Sequence, residues 1–161
     1  MLFRSRRPNC HIVVVGEDRV AYGKTLPNGK TYKQLMLEKF AFDPNRIHFT
    51  GLLSYNEYLT VIQASSAHIY LTRPFVLSWS MLEVMSVEGV IIGSATPPVR
   101  EVIEDGRNGL LVDFFSPLEI AQRVDEVFAD PNRAKAIGKA AREDRKSTRL
   151  NSSHLVISYA V

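Results

Sequence analysis

The sequence predicts an α/β protein, a Rossmann-like doubly wound parallel sheet with helices on both faces. Segments of strand length alternate with helical segments five times along the chain. The strand segments are short continuous apolar runs, which is typical of parallel strands covered on both faces. The 161 residues are close to the size of one common domain.

The first half of the chain contributes three predicted strands and two predicted helices. The strands are apolar runs rich in β-branched residues, at residues 11–15, 46–49 and 67–71. The helices begin at capping pairs, in which Ser or Thr is followed three positions later by Glu or Gln. These pairs are Thr31 with Gln34, whose helix runs to about Phe40, and Ser54 with Glu57.

The second half continues the alternation. A third capping pair, Ser80 with Glu83, predicts a central helix that starts near Ser80. Later elements are predicted as strands at residues 90–92 and 110–112, and as helices at 99–104, from Ser116 with Glu119, and from 130 through 140. Pro117, at the first helical position after Ser116, strengthens the helix start there.

The last residues do not continue the pattern. From about Lys146 the helical periodicity stops, and no acidic residue follows Asp144. This segment resembles a translated sequencing adapter, so we predict one folded domain at residues 1–144 and a non-native or disordered tail at 145–161. A natural disordered tail is the alternative.

Composition excludes several functions. The net charge of +3 comes from basic residues near the two ends, so we expect no nucleic-acid binding. No apolar run is long enough to span a membrane. The single Cys10 allows no internal disulfide and predicts a reducing, cytoplasmic location. Metal-ligand spacing, G-x-S-x-G and G-x-G-x-x-G are all absent, so no metal or cofactor is expected.

The candidate site lies where ligands bind such sheets, at the carboxyl ends of the strands. Gly16 ends the first strand and is one candidate there. A helix that begins near Ser80 points unpaired N–H groups and a partial positive charge at an anion. Glu83 in the same turn can accept hydrogen bonds from sugar hydroxyls, so a nucleotide-diphosphate sugar would use both features. The alternative is that Glu83 only caps the helix.

Three other side chains have open interpretations. Trp79 either packs against the core as a staple or shapes the ligand pocket. His68, in the middle of a predicted strand, and His48 are predicted to be packed core histidines rather than catalytic groups.

Three segments together resemble one family of enzymes. Residues 71–104, the turn Phe49–Leu53 and the strand Gly109–Asp113 are similar to the C-terminal, donor-binding half of family-4 retaining glycosyltransferases of the GT-B fold. The resemblance implies that Glu83, which matches the second glutamate of the family motif, binds the ribose hydroxyls. It also implies that N–H groups of Ser80, Met81 and Leu82 hold the distal phosphate.

Other site residues follow from the same resemblance. It implies that Leu52, Leu53 and Ser54 face the base. Two of the candidate site residues depart from the family pattern. Phe75 occupies the place of the first glutamate, beside the transferred sugar, and Ser78 replaces a glycine of the pocket loop. The catalytic residue therefore stays unassigned, and the family's basic pair lies before Met1 or is absent.

We therefore expect a fragment of a metal-independent retaining glycosyltransferase that takes a nucleotide-diphosphate sugar. The acceptor, a glycan, lipid or small molecule, would bind a missing N-terminal domain, so the isolated chain should bind donor weakly and be inactive. The alternatives are a non-catalytic nucleotide-binding module and, third, a GT-B sugar-nucleotide epimerase or phosphorylase.

Overall fold

The computed structural model describes residues 7–20, 25–72 and 77–151, with side chains up to residue 145. In these residues the chain forms, in order, β1 (Ile12–Val15), α1 (Tyr32–Lys39), β2 (Ile47–Gly51), α2 (Tyr55–Ala64), β3 (His68–Tyr70), α3 (Trp79–Ser86), β4 (Ile91–Ser94), α4 (Pro97–Arg100), β5 (Leu110–Val112), α5 (Pro117–Ala129) and α6 (Pro131–Asn151). The chain divides into two compact units, Met1–Leu59 (unit 1) and Thr60–Val161 (unit 2).

The α/β class with parallel strands is confirmed. The strands pair in two separate sheets, β1 with β2 and β3–β4–β5, and each pair is parallel. The sequence predicted one continuous sheet, because pairing between particular strands leaves no mark in an apolar run. Two helix boundaries also differ from the prediction. Helix α4 is shorter and earlier than residues 99–104, and α6 continues past Lys146 to Asn151.

Unit 1 is built on the β1–β2 pair. The register sets Ile12 beside Ile47, and the ladder continues as the Gly16 N–H donates to the Gly51 carbonyl at 3.0 Å. Val13 is 45% exposed, so the predicted burial of this strand on both faces is wrong. Its physical reason is that α1 has no buried residue and two strands alone cannot enclose their own faces.

Two histidines pair beside these strands. His11 Nδ1 and His48 Nε2 are 3.0 Å apart, and both side chains are exposed. The prediction of a packed core histidine is therefore wrong for His48. Nearby, burial raises the pKa of the half-buried Cys10 thiol, against the opposing effect of Arg46 and Arg7.

Unit 2 contains the core. Every residue of β4 is buried, because β3 and β5 pair with its two edges and the helices α3 and α5 contact it. The fully buried large side chains in this unit are Met81, Met85, Ile91, Ile92, Leu110, Val84, Val99 and Val112. Each buried Val, Leu, Ile or Met side chain contributes roughly 1.5–3 kcal/mol relative to an exposed one.

The turn before β5 is held by one buried amide. Asn108 is 1% exposed, and its Oδ1 accepts the N–H of Glu104 at 2.8 Å. Its Nδ2 donates to the Val102 carbonyl and to the Asp144 carboxylate. The hydrogen bond from Arg107 lowers the pKa of Asp144 below its usual value. The buried Asn108 side chain thus gives this turn a structural role.

Helix α3 ends in a Schellman motif that contains a residue other than glycine. The Gly89 N–H donates to the Val84 carbonyl at 2.9 Å, and the Glu88 N–H donates to the Met85 carbonyl at 3.2 Å. Glu88 has a φ of 62°, a left-handed conformation in which a Cβ atom is unfavourable. Its carboxylate pairs with Arg142 at 3.0 Å on the surface.

Helix α6 packs against the same turn at Gly138. A Cβ atom at position 138 would lie 2.1 Å from the Glu88 carbonyl oxygen. Because this neighbour is backbone, no side-chain rotation can relieve the overlap. The contact of α6 with the end of α3 therefore requires a glycine.

We predict that Glu88→Gly stabilises the protein relative to Glu88→Ala by about 1 kcal/mol, because relief of the left-handed strain outweighs the greater entropy of glycine in the unfolded chain. Both variants lose the exposed ion pair with Arg142, which is worth about 0–1 kcal/mol. Urea unfolding measures the difference. Equal stability of the two variants would show that the left-handed residue is not strained.

We predict that Gly138→Ala lowers the free energy of unfolding by about 2 kcal/mol or more, because overpacking against backbone outweighs alanine's better helix propensity. The control is Ala136→Gly at an exposed position of the same helix, which should cost about 1 kcal/mol from propensity alone. Urea unfolding of both variants is the measurement. A Gly138→Ala protein as stable as the wild type would contradict the close contact.

Candidate functional site

The first turn of α3 lies at the carboxyl edge of the β3–β4–β5 sheet, because the helix follows the carboxyl end of β3. Its N-cap is Ser78, whose Oγ accepts the Ser80 N–H at 3.2 Å. The Ser78 and Ser80 hydroxyls also lie 2.8 Å apart. The predicted capping pair of Ser80 with Glu83 is therefore wrong: the helix begins at Trp79, and Glu83 is its fifth residue.

The other capping pairs form at the predicted positions. Thr31 and Gln34 exchange both hydrogen bonds at the start of α1. The Ser54 N–H donates to the Glu57 carboxylate at 2.9 Å before α2, and hydrogen bonds from the Ser54 hydroxyl and backbone lower the pKa of Glu57. The Ser116 Oγ accepts the Glu119 N–H, while the Glu119 carboxylate accepts from Asp113 instead.

Glu83 has no structural partner within the described part of the chain. Among the residues that the structure describes, its carboxylate makes no hydrogen bond and no ion pair, and the side chain is half-buried. A capping role is thus removed, since the helix start lies too far away. Helical side chains lean toward the N-terminus, so Glu83 extends over the turn that contains Trp79 and Ser80.

The two faces of α3 have opposite character. Met81, Val84 and Met85 are 0% exposed and face the core. Trp79 is 76% exposed, which excludes its alternative role as a staple against the core. With its side chain buried, Met81 has only its backbone N–H to offer a ligand, and Leu82 is half-buried.

The backbone N–H groups at the start of α3 differ in their hydrogen-bond partners. The first N–H groups of a helix have no intrahelical partner. The Ser78 N–H donates to the Tyr70 hydroxyl at 2.9 Å, and the Ser80 N–H donates to Ser78. The N–H groups of Trp79 and Met81 make no hydrogen bond to any residue that the structure describes, so they are left for an anion.

Two hydrogen-bonded anchors flank the connection from β3 to α3. The first is the hydrogen bond from Ser78 to Tyr70, and the second lies just after β3. The Ser94 Oγ, at the end of β4, accepts the Thr72 N–H and donates to the Thr72 carbonyl, both at 3.0 Å. Ser94 is 0% exposed. Phe75, between the two anchors, lies outside the described residues.

The remaining candidates belong to unit 1. Gly16 follows β1 with a φ of 139°, and Leu52, which follows β2, is 75% exposed. Leu53 is half-buried, and Ser54 is occupied as the cap of α2. All four lie at the carboxyl ends of the two strands of this unit, where the sequence predicted them. Of the eleven predicted residues, the structure thus brings the helix set together in unit 2 and these four together in unit 1.

Two surface cavities lie among the described residues of unit 2, and Glu83 lines neither of them. One of about 490 Å³ lies beyond the carboxyl ends of β4 and β5, with Thr96, Arg100, Asp113, Phe115 and Glu119 in its wall. The other, of about 290 Å³, lies beside Glu88, Phe128 and Lys135. The sequence reading missed both, because their walls combine residues from distant segments.

The remaining chemical features are few. His68 is half-buried at the start of β3, and burial lowers its pKa. The described residues contain no group of three or more His, Cys, Asp or Glu side chains arranged to hold a metal ion. Within the same residues, no helix has both the length and the apolar character that crossing a membrane requires.

Comparisons with known proteins point in one direction. The family model described as glycosyl transferases group 1 matches residues 2–144. An uncharacterized glycosyltransferase of Methanocaldococcus jannaschii is 30% identical over 99 residues, which cover 61% of this chain and 25% of that protein. The chain therefore spans about a quarter of this curated relative's length.

Solved structures share the fold. The Anabaena protein HepE in complex with UDP-glucose superposes with a TM-score of 0.73 at 15% identity, over 98% of this chain and 44% of that chain. The C-terminal domain of a glycosyl transferase group 1 family protein from Francisella tularensis gives a TM-score of 0.73 at 21% identity, over 91% and 73% of the two chains.

We predict that Ser78→Ala destabilises the protein by about 1 kcal/mol, the usual cost of removing an N-cap hydroxyl. Ser78→Gly should cost only a few tenths of that, roughly 0.3 kcal/mol, because glycine is itself an acceptable N-cap. Ser80→Ala is the matched control and should cost less than about 0.5 kcal/mol. Thermal unfolding distinguishes the two serines, and a larger loss at Ser80 would return the cap to the position that the sequence predicted.

Proposed function

The chain belongs to the glycosyl transferases group 1 family, and from that membership we propose that it is the donor-binding part of a glycosyltransferase that uses a nucleotide-diphosphate sugar. The observation that carries the proposal is the first turn of α3. There Glu83 has no structural partner among the described residues, and it leans toward a helix end that has N–H groups to offer. A carboxylate and an anion-binding helix end side by side suit a sugar nucleotide.

The diphosphate would meet the helix end. The N–H groups of Trp79 and Met81, together with the hydroxyl of Ser80, would donate to phosphate oxygens, and the helix dipole would favour the negative charge. Such contacts are worth most in the transition state, when charge develops on the leaving diphosphate. Leu82, the fourth residue of α3, and Ser78, its N-cap, would complete this set.

Glu83 would accept hydrogen bonds from the two ribose hydroxyls. A carboxylate is an acceptor only, and two adjacent hydroxyls match its two oxygens. Its half-buried position supports this role, because water competes less for the hydrogen bonds there. Trp79, exposed on the same helix face, would cover one side of the nucleotide.

For unit 1, the family resemblance implies contacts with the base of the nucleotide. Leu52 and Leu53 would contact the base, with Ser54 and Gly16 beside them at the carboxyl ends of β1 and β2. The exposure of Leu52, 75%, supports a contact role, because most of its side chain is open to a ligand. Phe75 would lie near the transferred sugar.

The finer parts of the proposal extend the family resemblance. We propose that transfer proceeds with retention and without a metal or cofactor, in a family-4 enzyme of cytoplasmic location. A separate N-terminal domain would bind the acceptor, a glycan, lipid or small molecule. We also propose that the domain ends near residue 144, which the extent of the family match supports, and that the residues after it are not part of the domain although α6 continues to Asn151.

Binding without transfer is the second candidate function. The observation that favours it is Phe75 at the position of the family's first glutamate, because the carboxylate beside the transferred sugar is then missing. A transfer assay on a chain that includes an acceptor domain separates the two functions.

We predict that the wild-type chain binds UDP, the nucleotide seen with the Anabaena protein, and that Glu83→Ala weakens binding about tenfold or more. The reason is that a hydrogen bond to a charged group is worth roughly 1.5–3 kcal/mol, and 1.4 kcal/mol is tenfold in affinity. Calorimetric titration with UDP, GDP and ADP measures affinity and base preference, and thermal unfolding checks that the variant is folded.

The matched control is Glu101→Ala, which removes an exposed carboxylate at the end of α4 and should leave the affinity unchanged. Equal affinity of Glu83→Ala and wild type would remove Glu83 from the site. No binding of any of the three nucleotides would reject the proposed donor site as a whole.

A further inference from the structure

We propose that Tyr70 and Ser94 are positioning residues, which hold the first turn of α3 in the geometry that donor binding requires. Neither side chain needs to touch the ligand. The inference rests on the proposed donor site, and it adds two residues that lie outside the helix.

Ser94 replaces a missing step of the sheet ladder. The backbone ladder between β3 and β4 ends with Tyr70 opposite Gly93. Beyond it, the Ser94 hydroxyl takes over both roles of a backbone partner, since it accepts the Thr72 N–H and donates to the Thr72 carbonyl. A hydroxyl can serve as donor and acceptor at once, and no apolar side chain can replace it. The chain leaving β3 is thus tied to β4 two residues past the ladder.

Tyr70 ties the other end of the same connection. Its ring is buried, at 7% exposure, within β3, so the position of its hydroxyl is fixed by the core. That hydroxyl accepts the N–H of Ser78, the N-cap of α3. The start of the helix is therefore hydrogen-bonded directly to the sheet, because Tyr70 of β3 holds Ser78, eight residues further along the chain.

The two ties act on the same feature from opposite sides. Thr72 and Ser78 flank the connection, so its two ends cannot move relative to the sheet while both hydrogen bonds exist. The tie at Ser78 also determines which amides of the first turn are left over. With the Ser78 N–H used by Tyr70 and the Ser80 N–H used by the cap, the amides of Trp79 and Met81 are presented for a phosphate.

The strength of the arrangement lies in burial. Ser94 is fully buried, so water does not compete for its hydrogen bonds and the hydroxyl has little freedom to change their geometry. Pre-organised donors lower the cost of ordering the site when the ligand binds. Loss of either tie should therefore reduce affinity even though the groups that touch the ligand are unchanged.

The test compares Tyr70→Phe and Ser94→Ala with wild type in UDP titrations followed by amide NMR. Tyr70→Phe removes one hydrogen bond and should weaken UDP binding about fivefold, since one neutral hydrogen bond is worth about 1 kcal/mol. Ser94→Ala removes two hydrogen bonds and should weaken binding about fivefold or more. In wild type, UDP should shift the amide signals of Trp79 and Met81, and the variants should need proportionally more UDP for the same shift. Amide hydrogen exchange should accelerate at Ser78 in Tyr70→Phe and at Thr72 in Ser94→Ala.

Two controls separate positioning from general stability. Ser86→Ala removes a hydrogen bond to the Leu82 carbonyl at the far end of α3, and Tyr32→Phe removes an exposed hydroxyl. Both should lower or keep the melting temperature without changing UDP affinity. If Tyr70→Phe and Ser94→Ala also keep wild-type affinity, the positioning role is overturned while the donor site stands. If wild type itself binds no UDP, the proposed function fails, and this inference with it.

Discussion

Three side chains of α3, Met81, Val84 and Met85, are fully buried, and their burial fixes how the helix lies on the sheet. Because helical residues three and four apart share a face, the opposite face must then carry Trp79, Ser80 and Glu83. The apolar core of unit 2 thereby decides which polar groups are presented at the carboxyl edge. The hydrogen bond from Ser78 to Tyr70 holds the first turn of the helix in this orientation, and the Schellman motif holds its last turn.

How far the sequence predicts this protein depends on the range of the interaction concerned. Capping at Thr31 and Ser54 is local, since donor and acceptor lie three residues apart, and both starts are found where the pattern placed them. At α3 either of two serines could be the N-cap. Ser78 is the cap because the buried Tyr70 hydroxyl accepts its N–H. That tie depends on the packing of β3, which no local pattern contains.

The candidate site shows the same division. The pattern around Ser80 located the helix end correctly to within two residues, and the family resemblance drew attention to Glu83. The absence of a capping bond at Glu83 followed only from the observed helix start. Likewise, Val13 lies in an apolar run that predicts double-sided burial, but exposure depends on which elements cover a strand. Strand pairing into two sheets is non-local for the same reason.

The contact between Gly138 and the Glu88 carbonyl limits how this sequence can drift. An exposed position of α6 such as Ala136 can be exchanged by an evolving lineage without disturbing the packing. Position 138 admits no residue with a Cβ atom unless the turn after α3 moves as well. A lineage that loses this glycine must therefore acquire a second, compensating change at the turn, which makes the two positions a pair that should vary together.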